Sequence, residues 1–148
     1  MIDLLRFLKD QVFFSRRIAE DKERQERDGF TVQLISEGPN GHWAVYQENT
    51  RETRVGVSFG WFYQSLYVDE IKRWEPMFEE VSAAERRRIV DRVARHLSCW
   101  GGEVRFEKGY VHESRDLRTL LEAYGIPFKI SGEFLVHDPT NNENTLQS

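Results

Sequence analysis

The sequence predicts a single α+β domain in which an antiparallel sheet is packed by a long N-terminal helix and a central amphipathic helix. Segments with the alternation of strands cluster along the chain, and this order favours α+β over a doubly wound α/β fold. A chain of 148 residues suits one domain, and its 39% hydrophobic and 13% aromatic residues can form a core. We expect residues 1–137 to form the domain and residues 138–148 to form a flexible C-terminal tail.

Two further helices are predicted, one before and one after the central amphipathic helix in the sequence. Apolar residues recur at helical spacing through residues 3–26, and Gly29 supplies the stop. A shorter helix should begin after Ser114, whose hydroxyl can cap it. It should end at Gly125, because glycine readily adopts the left-handed conformation found after a helix.

The central helix has the clearest signals. Ser82 and Glu85 have the spacing of a capping box, so the helix should begin at Ala83. Gly101 and Gly102 should end it. The residues expected on its buried face are Ile89, Val90, Val93, Leu97 and Trp100.

Three arginines, Arg88, Arg92 and Arg95, form a basic stripe on the opposite side of the central helix. We interpret the stripe as the ordinary solvent-exposed face of an amphipathic helix. The alternative is that it contacts a phosphate or an acidic partner. Arg86 points toward the apolar side, where a hydrogen bond to the segment 61–81 is expected.

Strands are predicted wherever apolar and polar residues alternate. The first three should form an antiparallel meander, with Gly38-Pro39-Asn40-Gly41 as the first hairpin turn. We interpret residues 61–81 as an irregular connection with one short strand or helical turn, because Pro76 blocks a helix there. The predicted strands are 30–37, 42–48, 53–60, 103–107, 126–131 and 133–137.

Composition restricts the compartment. The single cysteine, Cys99, excludes an internal disulfide framework and cysteine-rich zinc sites, and it suits a reducing compartment. No apolar run approaches the roughly 18 residues that a membrane span needs, and the N-terminus lacks the pattern of a signal peptide. We therefore expect a cytoplasmic protein with no membrane partner.

The distribution of charge restricts the partner. The formal net charge is −4, and residues 37–80 contain eight acids and only four bases. General nucleic-acid binding depends on neutralising phosphates, so this acidic region argues against a direct nucleic-acid partner. It is compatible with a basic partner protein.

The segment 61–80 is the most unusual part of the sequence, because six aromatic residues alternate there with five acids. Tryptophan and tyrosine act as rigid anchors in protein interfaces, and an acidic rim would steer a basic partner toward them. The alternative is that the aromatic rings cover a sheet face and the acids are simply solvated. The candidate partner-binding residues are Trp61, Tyr63, Tyr67, Asp69, Glu70, Trp74, Glu75, Glu79 and Glu80.

Motifs of catalysis, cofactor binding and metal binding are missing from the sequence. GxSxG, HExxH, P-loop and GxGxxG patterns do not occur, so we expect neither an enzyme nor a cofactor. The four histidines lack metal-ligand spacing, and we interpret His96 as a packed or capping residue. Arg92 and Arg95 could lower the pKa of Cys99, but an incidental structural thiol is the preferred interpretation.

From Thr53 to Gly102 the sequence resembles the small immunity proteins of bacterial toxin systems, including those of contact-dependent inhibition. The resemblance lies in the strand TRVGVSFG, an aromatic linker ending in RWEPM, the Ser-capped helix AERRRIVDRVARHL and the glycine turn before EVRF. It covers about a third of the chain and transfers no individual toxin-contacting residue. It implies a non-enzymatic bacterial inhibitor that binds and neutralises a cognate toxin, whose toxin domain we expect to be basic.

Two other hypotheses stay open at this point. A small-ligand or enzymatic domain would have a pocket under the segment 61–81, lined by Trp61, Tyr63 and Trp74. A scaffold subunit of a larger assembly would dock another copy on the N-terminal helix and form a homodimer. The residues expected at that contact are Phe7, Phe13 and Phe14.

Overall fold

The computed structural model describes residues 4–36, 41–71, 73–109 and 115–139, with side chains described from Val12 onward. In these ranges three helices pack with a seven-stranded, mostly antiparallel sheet, so the fold class is α+β as predicted. The helices are α1 (Leu4–Asp28), α2 (Ala83–Leu97) and α3 (Leu117–Tyr124). The strands are β1 (Phe30–Ser36), β2 (His42–Glu48), β3 (Arg51–Phe59), β4 (Tyr63–Ile71), β5 (Glu103–Glu107), β6 (Phe128–Ser131) and β7 (Phe134–His137).

The strand order across the sheet is β1-β2-β3-β4-β5-β7-β6. The first four strands form a meander in which each antiparallel pair is consecutive in the chain. β4 and β5 are parallel, and α2 lies in the crossover that joins them. β7 then pairs antiparallel with both β5 and β6.

The hydrophobic core lies between α2 and one face of the sheet. Alternate strand residues point into it, as the two-residue period of a strand requires. Burial of each large apolar side chain contributes about 1.5–3 kcal/mol. The sheet supplies Phe30, Val32, Ala44, Tyr46, Val55, Val57, Leu66, Val68, Val104 and Phe106, and α2 supplies Ile89, Val90, Val93, Ala94 and Leu97.

The predicted start of α2 is confirmed. The Ser82 side chain accepts a hydrogen bond from the Glu85 backbone N–H (3.2 Å), and the Glu85 carboxylate accepts one from the Ser82 backbone N–H (3.0 Å). The helix ends at Leu97 and continues as a 3-10 turn, Ser98–Trp100, before Gly101 takes a positive φ of 87°. Trp100 therefore lies outside the helix and is 42% exposed, so its predicted place on the buried face is wrong.

The interpretation of residues 61–81 as an irregular connection is also wrong. Nine of these residues form β4, which pairs with β3 on one side and β5 on the other. The register shifts between Val55 and Val57, and Glu70 fills the space above Gly56 at this irregularity. A Cβ atom at Gly56 would lie 2.3 Å from Glu70 Oε2, so a larger residue there would require the Glu70 side chain to move.

The last helix and strands match the prediction with shifted bounds. α3 is capped by Asp116, whose carboxylate accepts a hydrogen bond from the Thr119 N–H (2.8 Å), and it ends at Gly125 with a φ of 68°. The predicted cap Ser114 and the tail beyond Pro139 lie outside the described residues. The first hairpin turn does too, apart from Gly41.

α1 matches the predicted helix, and its described side chains contact the rest of the fold from Phe14 onward. His96 Nδ1 lies 2.7 Å from Asp21 Oδ2, and Gln25 Nε2 donates to the same oxygen (2.8 Å). The Phe14 ring packs edge-on against Trp100, with 6.0 Å between centroids. Among the helices of the described ranges, none combines the length and apolar character that a membrane crossing requires.

The arginine stripe of α2 turns inward. Arg88 Nε donates to Glu48 Oε2 (3.1 Å), and Arg92 Nη1 donates to the Tyr46 hydroxyl (2.7 Å). That hydroxyl in turn donates to Glu48 Oε2 (2.6 Å). Arg95 pairs with an aspartate of its own helix (3.0 Å). The prediction of a solvent-exposed basic face is wrong, because these arginines bind carboxylates of the same chain.

Burial and hydrogen bonding have opposite effects on the pKa of Glu48 in the buried cluster of Glu48, Tyr46, Arg88 and Arg92. Burial alone raises the pKa of the Glu48 carboxyl, but hydrogen bonds from Arg88 and Tyr46 outweigh burial and lower it below its ordinary value. Burial and the neighbouring carboxylate raise the pKa of Tyr46 to about 12. When folding lowers the pKa of a glutamate carboxyl, the ionised group stabilises the folded protein. This stabilisation is complete at pH values above the pKa in the unfolded chain, about 4.3, and it is lost as the pH falls through the lowered pKa of the folded state.

We expect Glu48→Gln to lower the free energy of unfolding by about 2 kcal/mol at neutral pH, because Arg88 and Arg92 would keep their charges without a carboxylate partner. The difference between variant and wild type should shrink as the pH falls from about 5 to about 3. Urea unfolding followed by tryptophan fluorescence measures both. Glu26→Gln, at an exposed position of α1, is the control. A difference that stays constant over this pH range would contradict the assignment.

Candidate functional site

The structure separates the nine predicted partner-binding residues into three groups. Trp61 lies in the turn between β3 and β4, at one end of the sheet. Glu75 pairs with Glu52 at the other end of β3, roughly 25 Å away at the rise of an extended strand. One compact surface of the kind predicted from the sequence is therefore not formed.

The four candidates within β4 lie on the sheet face away from α2, where they contact their own chain. The Arg105 guanidinium stacks on the Tyr63 ring at 3.7 Å from its centroid. The Tyr67 hydroxyl donates to Ser58 Oγ (3.4 Å). The other two are carboxylates beside Gly109. Asp69 Oδ1 accepts a hydrogen bond from the Gly109 N–H (2.7 Å), and the Glu70 side chain occupies the space that a Cβ atom at Gly109 would need.

Trp74 was expected to be a partly exposed anchor, and the structure corrects this. The ring is completely buried. The Arg51 guanidinium lies over the Trp74 ring at 4.2 Å from its centroid. The Trp74 Nε1–H donates a hydrogen bond to Glu85 Oε2 (3.1 Å). Trp74 is thus a core residue that holds the chain beyond it in place.

The residues that follow, 75–80, form an exposed loop with a fixed backbone, which we call the acidic loop. Glu75 exchanges two backbone hydrogen bonds with Glu52, of 2.8 and 3.1 Å. The Trp74 N–H donates to the Glu79 carbonyl (2.9 Å), which closes the loop on itself. Phe78 takes a φ of 57°, a strained conformation for a bulky residue that persists only where surrounding contacts impose it.

Two large apolar side chains project from the acidic loop into solvent. Met77 is 74% exposed and Phe78 is 67% exposed. The site prediction missed both, although their position between Pro76 and a pair of glutamates is typical of an exposed turn. Methionine and phenylalanine are common at the centre of protein interfaces.

The charge around this apolar pair is negative. Residues 73–80 contain three carboxylates, those of Glu75, Glu79 and Glu80, and one base, Arg73. Arg73 lies 3.6 Å from Glu80, but both side chains are mostly exposed, so the pair is weak. Arg51 reaches Glu79 at 3.5 Å. The acidic loop therefore combines exposed apolar contacts with a rim that attracts cations.

Cys99 and the described histidines have structural contacts. Burial, followed by the charge of Asp21, raises the pKa of Cys99 to about 11 and outweighs the opposing charges of Arg24 and Arg17, so the thiol is a weak nucleophile, in line with the preferred interpretation. His96 packs against Asp21 as expected, and His137 Nε2 lies 2.9 Å from an oxygen of Asp91. In the described ranges, no group of three or more metal-ligating side chains is close enough to hold an ion.

The pocket expected under residues 61–81 is not formed by its predicted lining residues. Trp61 lies in an exposed turn, and Tyr63 is covered by Arg105. Trp74 is in the core at the opposite end of the sheet. Trp61 and Trp74 therefore lie too far apart to line one pocket.

Comparisons with protein-family models, with curated proteins and with solved structures found no match for this chain.

We expect Trp74→Phe to lower the free energy of unfolding by about 2 kcal/mol, because it removes buried volume and the hydrogen bond to Glu85. The Glu75 amide, which donates to Glu52, should exchange its hydrogen faster as the acidic loop loosens. Urea unfolding and amide hydrogen exchange measure these effects. Trp61→Phe is the matched control and should change stability by less than about 0.5 kcal/mol. Equal effects of the two substitutions would contradict the anchoring role.

Proposed function

We propose that this chain is a non-enzymatic, cytoplasmic immunity protein that binds a basic toxin domain through the acidic loop and neutralises it. The observation that carries the proposal is the exposed pair Met77 and Phe78, held on a fixed backbone inside a rim of carboxylates. The resemblance of Thr53–Gly102 to immunity proteins supports it, and the linker RWEPM within that resemblance leads into this loop. The proposal assigns no catalytic residue and no cofactor.

The properties of the acidic loop suit inhibition by tight binding. Covering each exposed apolar side chain contributes roughly 1.5–3 kcal/mol to the complex. The carboxylates accelerate encounter with a basic partner, because opposite charges steer diffusion. The hydrogen bonds at both ends of the loop reduce the conformational entropy that binding would otherwise remove.

The test requires the partner encoded beside this chain. If the proposal holds, the C-terminal domain of a large neighbouring reading frame arrests bacterial growth when expressed alone, and co-expression of this chain restores growth. Glu75→Gln, Glu79→Gln and Glu80→Gln together should slow association of the purified proteins about tenfold at low salt. Phe78→Ala should instead accelerate dissociation. Growth assays and stopped-flow or surface-based kinetics measure these outcomes.

Matched controls separate this surface from general charge and hydrophobicity. A triple variant with Glu23→Gln, Glu26→Gln and Glu133→Gln changes the net charge equally at exposed positions outside the loop. Phe62→Ala removes a phenyl ring that is also largely exposed, at the other end of the sheet. Equal effects of the control and loop variants would contradict the acidic loop as the site. A neighbouring domain that neither arrests growth nor binds would contradict the immunity function.

A homodimer through α1 is a second proposal, favoured by exposed apolar residues on that helix. Val12 and Phe13 are exposed, whereas Phe14 packs against Trp100 and the Phe7 side chain lies outside the described set. Such a dimer would support the scaffold hypothesis.

We expect wild-type protein to sediment as a dimer at about 100 μM, near the concentration at which weak interfaces associate. Phe13→Asp should shift it to a monomer without loss of stability, because the ring is exposed. Sedimentation equilibrium measures the mass, and Phe62→Asp is the control. A monomeric wild type at this concentration would contradict the dimer.

A further inference from the structure

An open groove of about 530 Å³ lies beside the turn between β3 and β4, at the opposite end of the sheet from the acidic loop. It contains three aromatic side chains, one aliphatic side chain, one amide and a glycine. The lining residues are Leu34, Phe59, Gly60, Trp61, Gln64 and Trp100. None of them carries a charge.

The aromatic walls remain accessible on a supported backbone. Trp61 is 95% exposed, and Phe59 and Trp100 are each 42% exposed. A Cβ atom at Gly102 would lie 2.2 Å from the Phe62 carbonyl oxygen, so this turn packs directly on the backbone that follows Trp100. His96 and Phe14 each contact Trp100 edge-on, with 5.2 Å and 6.0 Å between ring centroids. Two tryptophans from different elements are therefore brought to one groove.

Gln64 supplies the polar group of the groove. The residue is 4% exposed, and its buried Oε1 has no hydrogen-bond partner. Buried amide oxygens are almost always paired, because leaving one unpaired is unfavourable. Gln64 lines the groove, and rotation of its terminal amide about the last side-chain bond is the movement that would bring the oxygen to a donor bound there. A ligand that presents an N–H or O–H among the aromatic rings would supply the missing partner of this oxygen.

We propose that this groove binds an arginine side chain of a partner protein. Tryptophan faces attract cations, and the planar guanidinium both stacks on rings and carries five N–H donors, one of which would pair with Gln64. The aliphatic stem would contact Leu34. The net charge of −4 favours approach of a cation.

The chain already uses this kind of contact internally. Its own guanidinium groups lie 4.2 Å above the Trp74 ring, 4.3 Å above the Phe30 ring and 3.6 Å above the Phe134 ring. The inference goes beyond the proposed function and does not depend on it, because the groove and the acidic loop share no residue.

The test uses a free arginine derivative and the full chain, without a partner. Nα-acetyl-arginine N-methylamide is titrated while the indole N–H signals of the tryptophans are followed by NMR. The Trp61 and Trp100 signals should shift with a millimolar Kd, and the buried Trp74 signal should not. The uncharged citrulline derivative, which has nearly the same shape, should bind about tenfold more weakly. Trp61→Ala and Gln64→Leu should each weaken arginine binding about tenfold.

Phe62→Ala is the matched control, because Phe62 is exposed beside Trp61 but does not line the groove. It should leave the Kd unchanged. Should Gln64→Leu fail to fold, Trp61→Ala decides the matter, since its ring is almost wholly in solvent. Equal binding of the citrulline derivative, equal weakening by Phe62→Ala, or unshifted tryptophan signals would each overturn the proposal. None of these results would bear on the acidic loop.

Discussion

The carboxylate of Glu85 joins the start of α2 to Trp74 and to Arg51, which lies 34 residues earlier in the chain. Its Oε1 accepts a hydrogen bond from the Ser82 N–H, which fixes the start of α2. Its Oε2 accepts hydrogen bonds from Trp74 Nε1 (3.1 Å) and Arg51 Nη2 (2.8 Å), which fix the base of the acidic loop and the start of β3. Burial raises the pKa of Glu85, but these hydrogen bonds outweigh it and lower the pKa, so the group is charged at neutral pH. The position of the exposed Met77 and Phe78 depends on this side chain together with the backbone hydrogen bonds of Trp74 and Glu75.

The internal use of arginines determines the charge that the surface presents. Arg88 and Arg92 bind Glu48, and Arg51 divides its donors between Glu48 and Glu85. These arginines form the ion pairs that join α2 to the sheet. Removal of one member of such a pair would leave the other charge without compensation. The glutamates of the acidic loop have weaker pairs with partly exposed arginines. The net negative potential of the loop is thus a consequence of how the core is held together.

Local signals in the sequence predict the local parts of this structure. The capping box at Ser82 and Glu85 depends on four consecutive residues, so its prediction holds without knowledge of the fold. β4 was missed because buried Gln64 and Ser65 interrupt the expected alternation, and both lie in a strand paired on two sides. The burial of Trp74 depends on pairing between Glu52 and Glu75, more than twenty residues apart. The sequence analysis identified the glutamates of the acidic loop as site residues but missed its exposed apolar side chains, Met77 and Phe78. Contacts between segments that are distant in the sequence decide which side chains are exposed.

The two exposed surfaces differ in the physics that each would contribute to binding. The acidic loop acts at long range, because carboxylates in solvent attract a basic partner over a Debye length of about 8 Å at physiological ionic strength. The groove beside Trp61 acts only on contact, because stacking on a ring and a hydrogen bond to Gln64 require close approach. Since the two lie at opposite ends of β3, roughly 25 Å apart, one partner could contact both only by spanning the length of the sheet. A partner of ordinary interface size, about 800 Å² on each side, is wide enough to do so. Charge at one end would then set the rate of encounter, and an arginine held at the other would fix the orientation.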